Sequence, residues 1–114
     1  MEIILKNIEI NEGSFLYELR EGRFDLGLYN QFVKSVYDNN KSEMDDQTRC
    51  KIAFYLWEIS LRVYGILSSD LDERDILKIE NITDDIRFHL HEKFYIMANF
   101  FTYKKEMYLD GLLL

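Results

Sequence analysis

Proline is absent from this chain of 114 residues. Nothing in it marks a stiff linker or a polyproline ligand. A single cysteine, Cys50, excludes an internal disulfide framework. The five glycines form no phosphate-binding loop, because Gly22 and Gly27 lack the spacing such a loop requires. Basic charge is also in short supply, with 14 Lys and Arg against 21 Asp and Glu. Direct binding to a nucleic-acid backbone needs a basic patch, so that class of partner is excluded. The opening MEIILKNIEI has neither the basic start nor the long apolar run of a signal peptide, which makes the cytoplasm the expected compartment. No internal repeat and no low-complexity run is present.

The length is that of one domain, residues 1–114, and is enough for a core of its own. Apolar residues make up 47% and charged residues 31%, the balance of a globular chain rather than a disordered one. The net charge of −7 is spread along the chain and is not an acidic tail: seven basic residues face ten acidic ones in the first half, and seven face eleven in the second. Such a field steers toward a basic protein. Aromatics reach 15%, more than a small core readily hides. Some must reach the surface, where grouped Tyr and Trp favour protein interfaces.

The stretch KIAFYLWEISLRVYGIL, residues 51–67, organises the rest. Ile52, Leu56, Ile59, Val63 and Ile66 form one helical stripe. Ala53, Phe54, Trp57, Leu61, Tyr64 and Leu67 widen it around most of the cylinder. Only Lys51, Tyr55, Glu58 and Arg62 make a polar line. A helix so apolar belongs in the middle of a domain, and Trp57 on it is expected to be buried. Glu58 and Arg62 inside so short a stretch exclude a membrane span.

Around this helix the signals run in order. The β-branched residues of 2–10 favour a short strand, although Ile4, Leu5 and Ile8 also fit a helical face. Asn11-Glu12-Gly13 reads as a turn. Ser14 caps a short helix that Gly22 ends, with a hairpin across Gly13 as the competing reading. Leu28, Phe32 and Val36 begin a longer helix, which Asn39-Asn40 is expected to stop. Ser42 and Asp45 resemble a capping box, so the central helix is expected to start near Glu43 and to end at Ser68-Ser69-Asp70. Residues 70–78 read as one or two helical turns. Thr83 caps a further helix, with Asp84 and Asp85 in its first turn and a stripe of Ile86, Leu90, Phe94, Met97 and Phe101. This last helix is the expected packing partner of 51–67. The three terminal leucines are expected to dock on the core or meet a partner.

Candidate chemistry is sparse. His89 and His91, two apart on a helix, diverge by about 200° and cannot share a metal ion. Asp85 one turn earlier gives His89 an ordinary surface ion pair. Cys50 lacks a recognisable base and reads as a small, partly buried helix residue. Glu58 and Arg62 form an i, i+4 pair in the favourable order. No catalytic residue, cofactor site or metal site is expected, and the chain is not read as an enzyme. The richest polar segment is 70–85, where Asp70, Asp72, Glu73, Asp75, Glu80, Asp84 and Asp85 face only Arg74 and Lys78. Part of this is helix-start chemistry; the functional reading is a docking edge for a basic protein.

The fold class expected is all-α, two to five helices around the central one with a short N-terminal strand; the alternative is α+β with a hairpin over 2–19. In size, charge and texture the chain resembles small bacterial immunity proteins of contact-dependent growth inhibition and related polymorphic toxin systems. The resemblance lies in GSFLYELREGRFDLGLYNQF, WEISLRVY and the acidic 70–85 segment. It implies a tight complex with a cognate toxin, often a basic nuclease, blocking its active site or substrate groove. The alternative is a small regulatory or adapter protein, with no membrane partner in either case.

Overall fold

Six helices form among the described residues of the computed structural model, which are 1–72, 74 and 78–114. They are α1 (Glu2–Ile8), α2 (Phe15–Arg20), α3 (Leu26–Lys41), α4 (Asp46–Leu71), α5 (Asp84–Thr102) and α6 (Leu109–Leu112). The all-α class holds, with one isolated bridge between Arg23 and Glu80 as the single extended pairing among these residues.

The strand expected over 2–10 is instead helix α1, and the 2–19 hairpin is replaced by two helices joined through Gly13. A lone strand has no neighbour here to take its backbone groups. A helix satisfies them locally and sorts the side chains, exposing Glu2, Lys6 and Glu9 while burying Ile4 and Asn7. Asn7 then locks α1 to α2: its Nδ2 donates to Ile3 O at 2.8 Å, and its Oδ1 accepts from Leu16 N at 2.8 Å. Leu16 N is one of the orphan donors in the first turn of α2, and Tyr17 N donates to the Ser14 cap at 3.2 Å.

Two reversals use left-handed backbone at different cost. Gly22, at φ +86°, ends α2 as its residue type anticipates, with Arg23 N donating to Glu18 O at 2.9 Å. Ile10 does the same for α1 at φ +53°, with Asn11 N donating to Lys6 O at 2.9 Å. A β-branched residue in that conformation costs on the order of 1–2 kcal/mol.

Helix α3 starts at Asp25, whose carboxylate accepts from Leu28 N at 3.0 Å. It does not stop at Asn39-Asn40. Both asparagines stay helical because their side chains find partners: Asn39 Nδ2 donates to Ser35 O within the helix at 2.8 Å, and Asn40 Nδ2 to Lys105 O beyond the end of α5 at 2.9 Å. Ser42 is consequently the C-cap of α3, and the cap of α4 is Asp45, which accepts from Thr48 N at 2.7 Å. Bonding to the Thr48 side chain, then to its N–H, holds the Asp45 carboxyl below the usual carboxylate range. A depressed folded-state value makes the cap's contribution fully present above the ordinary range near 3.9 and lost as pH falls further. Helix α4 also passes the expected stop at Ser68-Ser69-Asp70 and reaches Leu71, about 39 Å in all. Ser68 Oγ donates back to Tyr64 O at 2.9 Å, so the serine is satisfied inside the helix.

Helices α4 and α5 pack antiparallel, as their stripes anticipate. Ile52, Leu56, Ile59, Val63 and Leu67 meet Leu90, Phe94, Met97 and Phe101 in one buried core. Helices α1 and α2 cover further flanks of α4, and α3 with α6 closes the far side. Phe94 links the layers, its ring centroid 5.8 Å from Phe15, 5.9 Å from Tyr29 and 5.3 Å from Phe32. The terminal leucines dock: Tyr29 Oη donates to Leu112 O at 2.8 Å, and Asn30 exchanges two hydrogen bonds with Leu114. Burial raises the Tyr29 phenol well above its ordinary value. Among the described residues, no helix is long and apolar enough to cross a membrane.

Arg49 is the buried cation that joins the ends of three helices. Its guanidinium donates to Phe101 O at 3.1 Å, Asn40 O at 2.9 Å and Asn40 Oδ1 at 3.1 Å, and it lies 4.5 Å over the Phe101 ring. The planar fork reaches carbonyls that a single ammonium cannot reach together. Arg49→Lys is therefore expected to lose about 1–3 kcal/mol, read as a lower urea midpoint at unchanged slope; equal midpoints would show that the fork is not needed.

Candidate protein-docking face

Helix α4 is covered on its inner side and its α1–α2 flank, and bare on the side that faces outward beside α5. Cys50, Phe54, Trp57, Leu61, Tyr64 and Ser68 follow one another at helical spacing along that bare side. From α5, Phe88, His91, Tyr95 and Thr102 complete the face. The two rows touch at three heights. Trp57 Nε1 donates to Thr102 Oγ1 at 2.9 Å, the Trp57 and Tyr95 rings meet edge-on at 5.3 Å, and the Tyr64 and His91 rings lie 4.9 Å apart.

This corrects the view of 51–67 as a helix buried all round. Phe54 is 65% exposed, Leu61 69% and Tyr64 56%; across on α5, Phe88 is 73% exposed and Tyr95 49%. Trp57 is half-buried rather than buried, since only its α5 side is covered. Cys50 is exposed rather than partly buried, because it starts the same outward row. The five exposed side chains present on the order of 600 Å² of largely apolar surface, at the upper end for the largest patch on a monomer. None of the residues in the two rows carries a formal charge with histidine neutral, although 31% of the chain is charged. A surface shaped by solubility alone has charges interspersed. An uncharged aromatic centre with a charged rim is the anatomy of a protein interface.

The acidic segment is placed at one end of this face, and its members do different things. Asp70 lies on the inner side of α4 and is buried. Its Oδ1 accepts from Ile79 N at 2.7 Å, and its Oδ2 accepts from Arg87 Nε. Arg87 also pairs with the exposed Asp84 at 2.7 Å. Asp70 thus fastens the crossover and α5 to α4 from within. Glu80 is exposed at its side chain and tied by its backbone, donating to Gly22 O at 2.7 Å and accepting from Phe24 N at 3.0 Å. Asp72, the C-cap of α4, accepts from Arg74 N at 2.9 Å and Arg74 Nε at 3.2 Å, which holds its carboxyl below the usual range. Asp85 is exposed and lies 3.6 Å from His89. Glu73 and Asp75 lie outside the described residues, as do Ile76 and Leu77 of the helical turn expected over 70–78, of which Asp70 and Leu71 instead belong to the end of α4.

Asp72, Asp84 and Asp85 therefore border the end of the face marked by the exposed Leu71 and Phe88. Glu92, exposed one turn after Phe88, extends the acidic rim along α5. At the opposite end Lys104 pairs with Asp46 at 3.0 Å. Glu58 and Arg62 do form their pair, at 3.1 Å, but Arg62 also donates to Ile8 O at 3.1 Å and so closes the end of α1. Among the described residues, no group of three or more His, Cys, Asp and Glu is placed to hold a metal ion.

Separating the inner carboxylate from the outer ones gives a direct test. Asp70→Ala is expected to cost about 3 kcal/mol, because it leaves Ile79 N without its acceptor and takes from the Arg87 guanidinium its buried partner, leaving only the exposed Asp84. Asp84→Ala removes an 89% exposed carboxylate and is expected to leave the urea midpoint almost unchanged. Similar losses in both would contradict the assignment of Asp70 to the fold and of Asp84 to the surface. No protein-family model matches the chain, and comparison with curated proteins and with solved structures finds no match.

Proposed function

We propose that this chain is a non-enzymatic immunity protein that binds and neutralises a basic toxin domain through the α4/α5 face. The observation that carries the proposal is the uncharged aromatic surface shared by the two longest helices of the fold. The acidic rim of Asp72, Asp84, Asp85 and Glu92 supplies the charge a basic partner requires. The exposed apolar area approaches the roughly 800 Å² per partner of a standard interface. A toxin whose catalytic groove is basic would meet rim acids at the groove edge and aromatic anchors inside the contact, which blocks access without chemistry in the inhibitor. The same face serves the second reading, a regulatory or adapter protein, if its partner is not a toxin.

Centre and rim are expected to separate kinetically. Leu61→Asp places a charge in the middle of the face and is expected to speed dissociation from the cognate toxin domain by about tenfold or more. Stability should stay within about 0.5 kcal/mol of wild type, because Leu61 makes little of the core. Asp72→Lys with Glu92→Lys is expected to slow association several-fold at low salt, with the difference vanishing near 0.5 M salt. Trp57 lies inside the face, so its emission is expected to shift on binding and gives the stopped-flow signal. Co-expression with any toxin domain found encoded beside this chain would read protection directly. Unchanged dissociation for Leu61→Asp would remove the α4/α5 face from the interface; absence of binding and protection would leave the adapter reading.

A further inference from the structure

On the other flank of α4, away from α5, an open cleft of about 400 Å³ runs between the end of α1, the start of α2 and the second half of α4. Its apolar wall is Ile10 and Ile66, with the fully buried Leu16 behind them, and Arg20 and Arg62 stand at its polar side. Three features of this cleft are not required by the fold. Ile10 reaches it from a left-handed backbone position that any glycine or asparagine would occupy with less strain. Gly65 lies mid-helix, where alanine is favoured, yet a Cβ built there meets nothing within 4 Å. Arg20 makes no ion pair among the described residues, whereas Arg62 is neutralised by Glu58 and held by Ile8 O.

We infer that this cleft is a binding site for a small amphipathic carboxylate, its alkyl or aryl body against Ile10 and Ile66 and its carboxylate on the Arg20 guanidinium. One cation at the rim, without an ion pair among the described residues, matches one negative charge. The apolar wall matches a body without hydrogen-bonding groups, and the missing Cβ at Gly65 keeps the floor open beside it. The volume lies at the small end of ligand sites, which suits a chain of about eight carbons rather than a nucleotide or a sugar. The site shares no side chain with the two rows of the α4/α5 face, so it stands or falls independently of the toxin reading.

The test is a titration of the full chain with octanoate and with octan-1-ol, followed by amide chemical shifts. Octanoate is expected to saturate with a Kd of about 0.1–1 mM, shifting Ile10, Leu16 and Ile66. Octan-1-ol is expected to bind about threefold to fivefold more weakly for want of the ion pair. Arg20→Gln should bring octanoate down to the level of the alcohol. Gly65→Leu, which fills the floor and favours the helix, should abolish binding of both while the fold persists. Absence of saturable shifts, equal affinity for acid and alcohol, or binding that survives Gly65→Leu would each overturn the inference.

Discussion

The antiparallel contact of α4 with α5 is the constraint on which the rest of this structure depends. The other helices find their places on that pair directly or through a neighbour. Helices α1 and α2 pack on α4, and α3 with α6 reaches the pair through Phe32, Tyr29 and the ring of Phe94. The two long helices span a crossover rich in acids, and Asp70 and Arg87 fix its two ends to each other from inside. A chain of this size does not supply enough helices to surround the pair completely. One side of it therefore stays in water, and the residues on that side are aromatic and uncharged.

Elements set by side-chain periodicity were legible in the sequence. The stripes of α3, α4 and α5 repeat often enough to declare both helix and inner face, and Ser14 and Thr83 cap the helices they were expected to cap. Boundaries set by tertiary partners were not. Asn39 and Asn40 carry a stop signal that their side-chain bonds cancel, and the Arg49 site that uses Asn40 is invisible without the fold. Helix α1 was misread because β-branched residues suit a strand, whereas its turn ends on Ile10, a residue that gives no left-handed signal. Trp57 and Cys50 were placed too deep because a helix apolar nearly all round is normally enclosed. The composition did hold the contrary signal, an aromatic content too high for the core, but not which aromatics stay outside.

The acidic segment shows why charge counted along a chain is a weak guide to a site. Seven carboxylates in sixteen residues look like one surface, yet the fold divides them. Asp70 is turned inward, where its partners must be complete because water cannot replace them. Asp72, Asp84 and Asp85 remain in solvent, where pairing with Arg74, Arg87 and His89 is weak and screened by salt. Only the outer group adds to the field an approaching protein feels. Its position at one end of the aromatic face, rather than the total of −7, is what gives the field a direction.

Local rules of stability are broken at several places on this molecule, and some of the breaches lie on or beside the exposed sides of α4. Phe54, Leu61 and Tyr64 are apolar where a monomer needs polar residues, Gly65 is a glycine where the helix prefers alanine, and Ile10 beside it is strained where glycine fits. The inner side of the same helix carries an aliphatic stripe and, at Arg49, a guanidinium that donates three hydrogen bonds. A sequence that specifies its fold so consistently elsewhere retains such departures where something other than folding sets the residue. On α4 such departures lie at the aromatic face on one flank and at the Ile10 cleft on the other, the two surfaces proposed to bind.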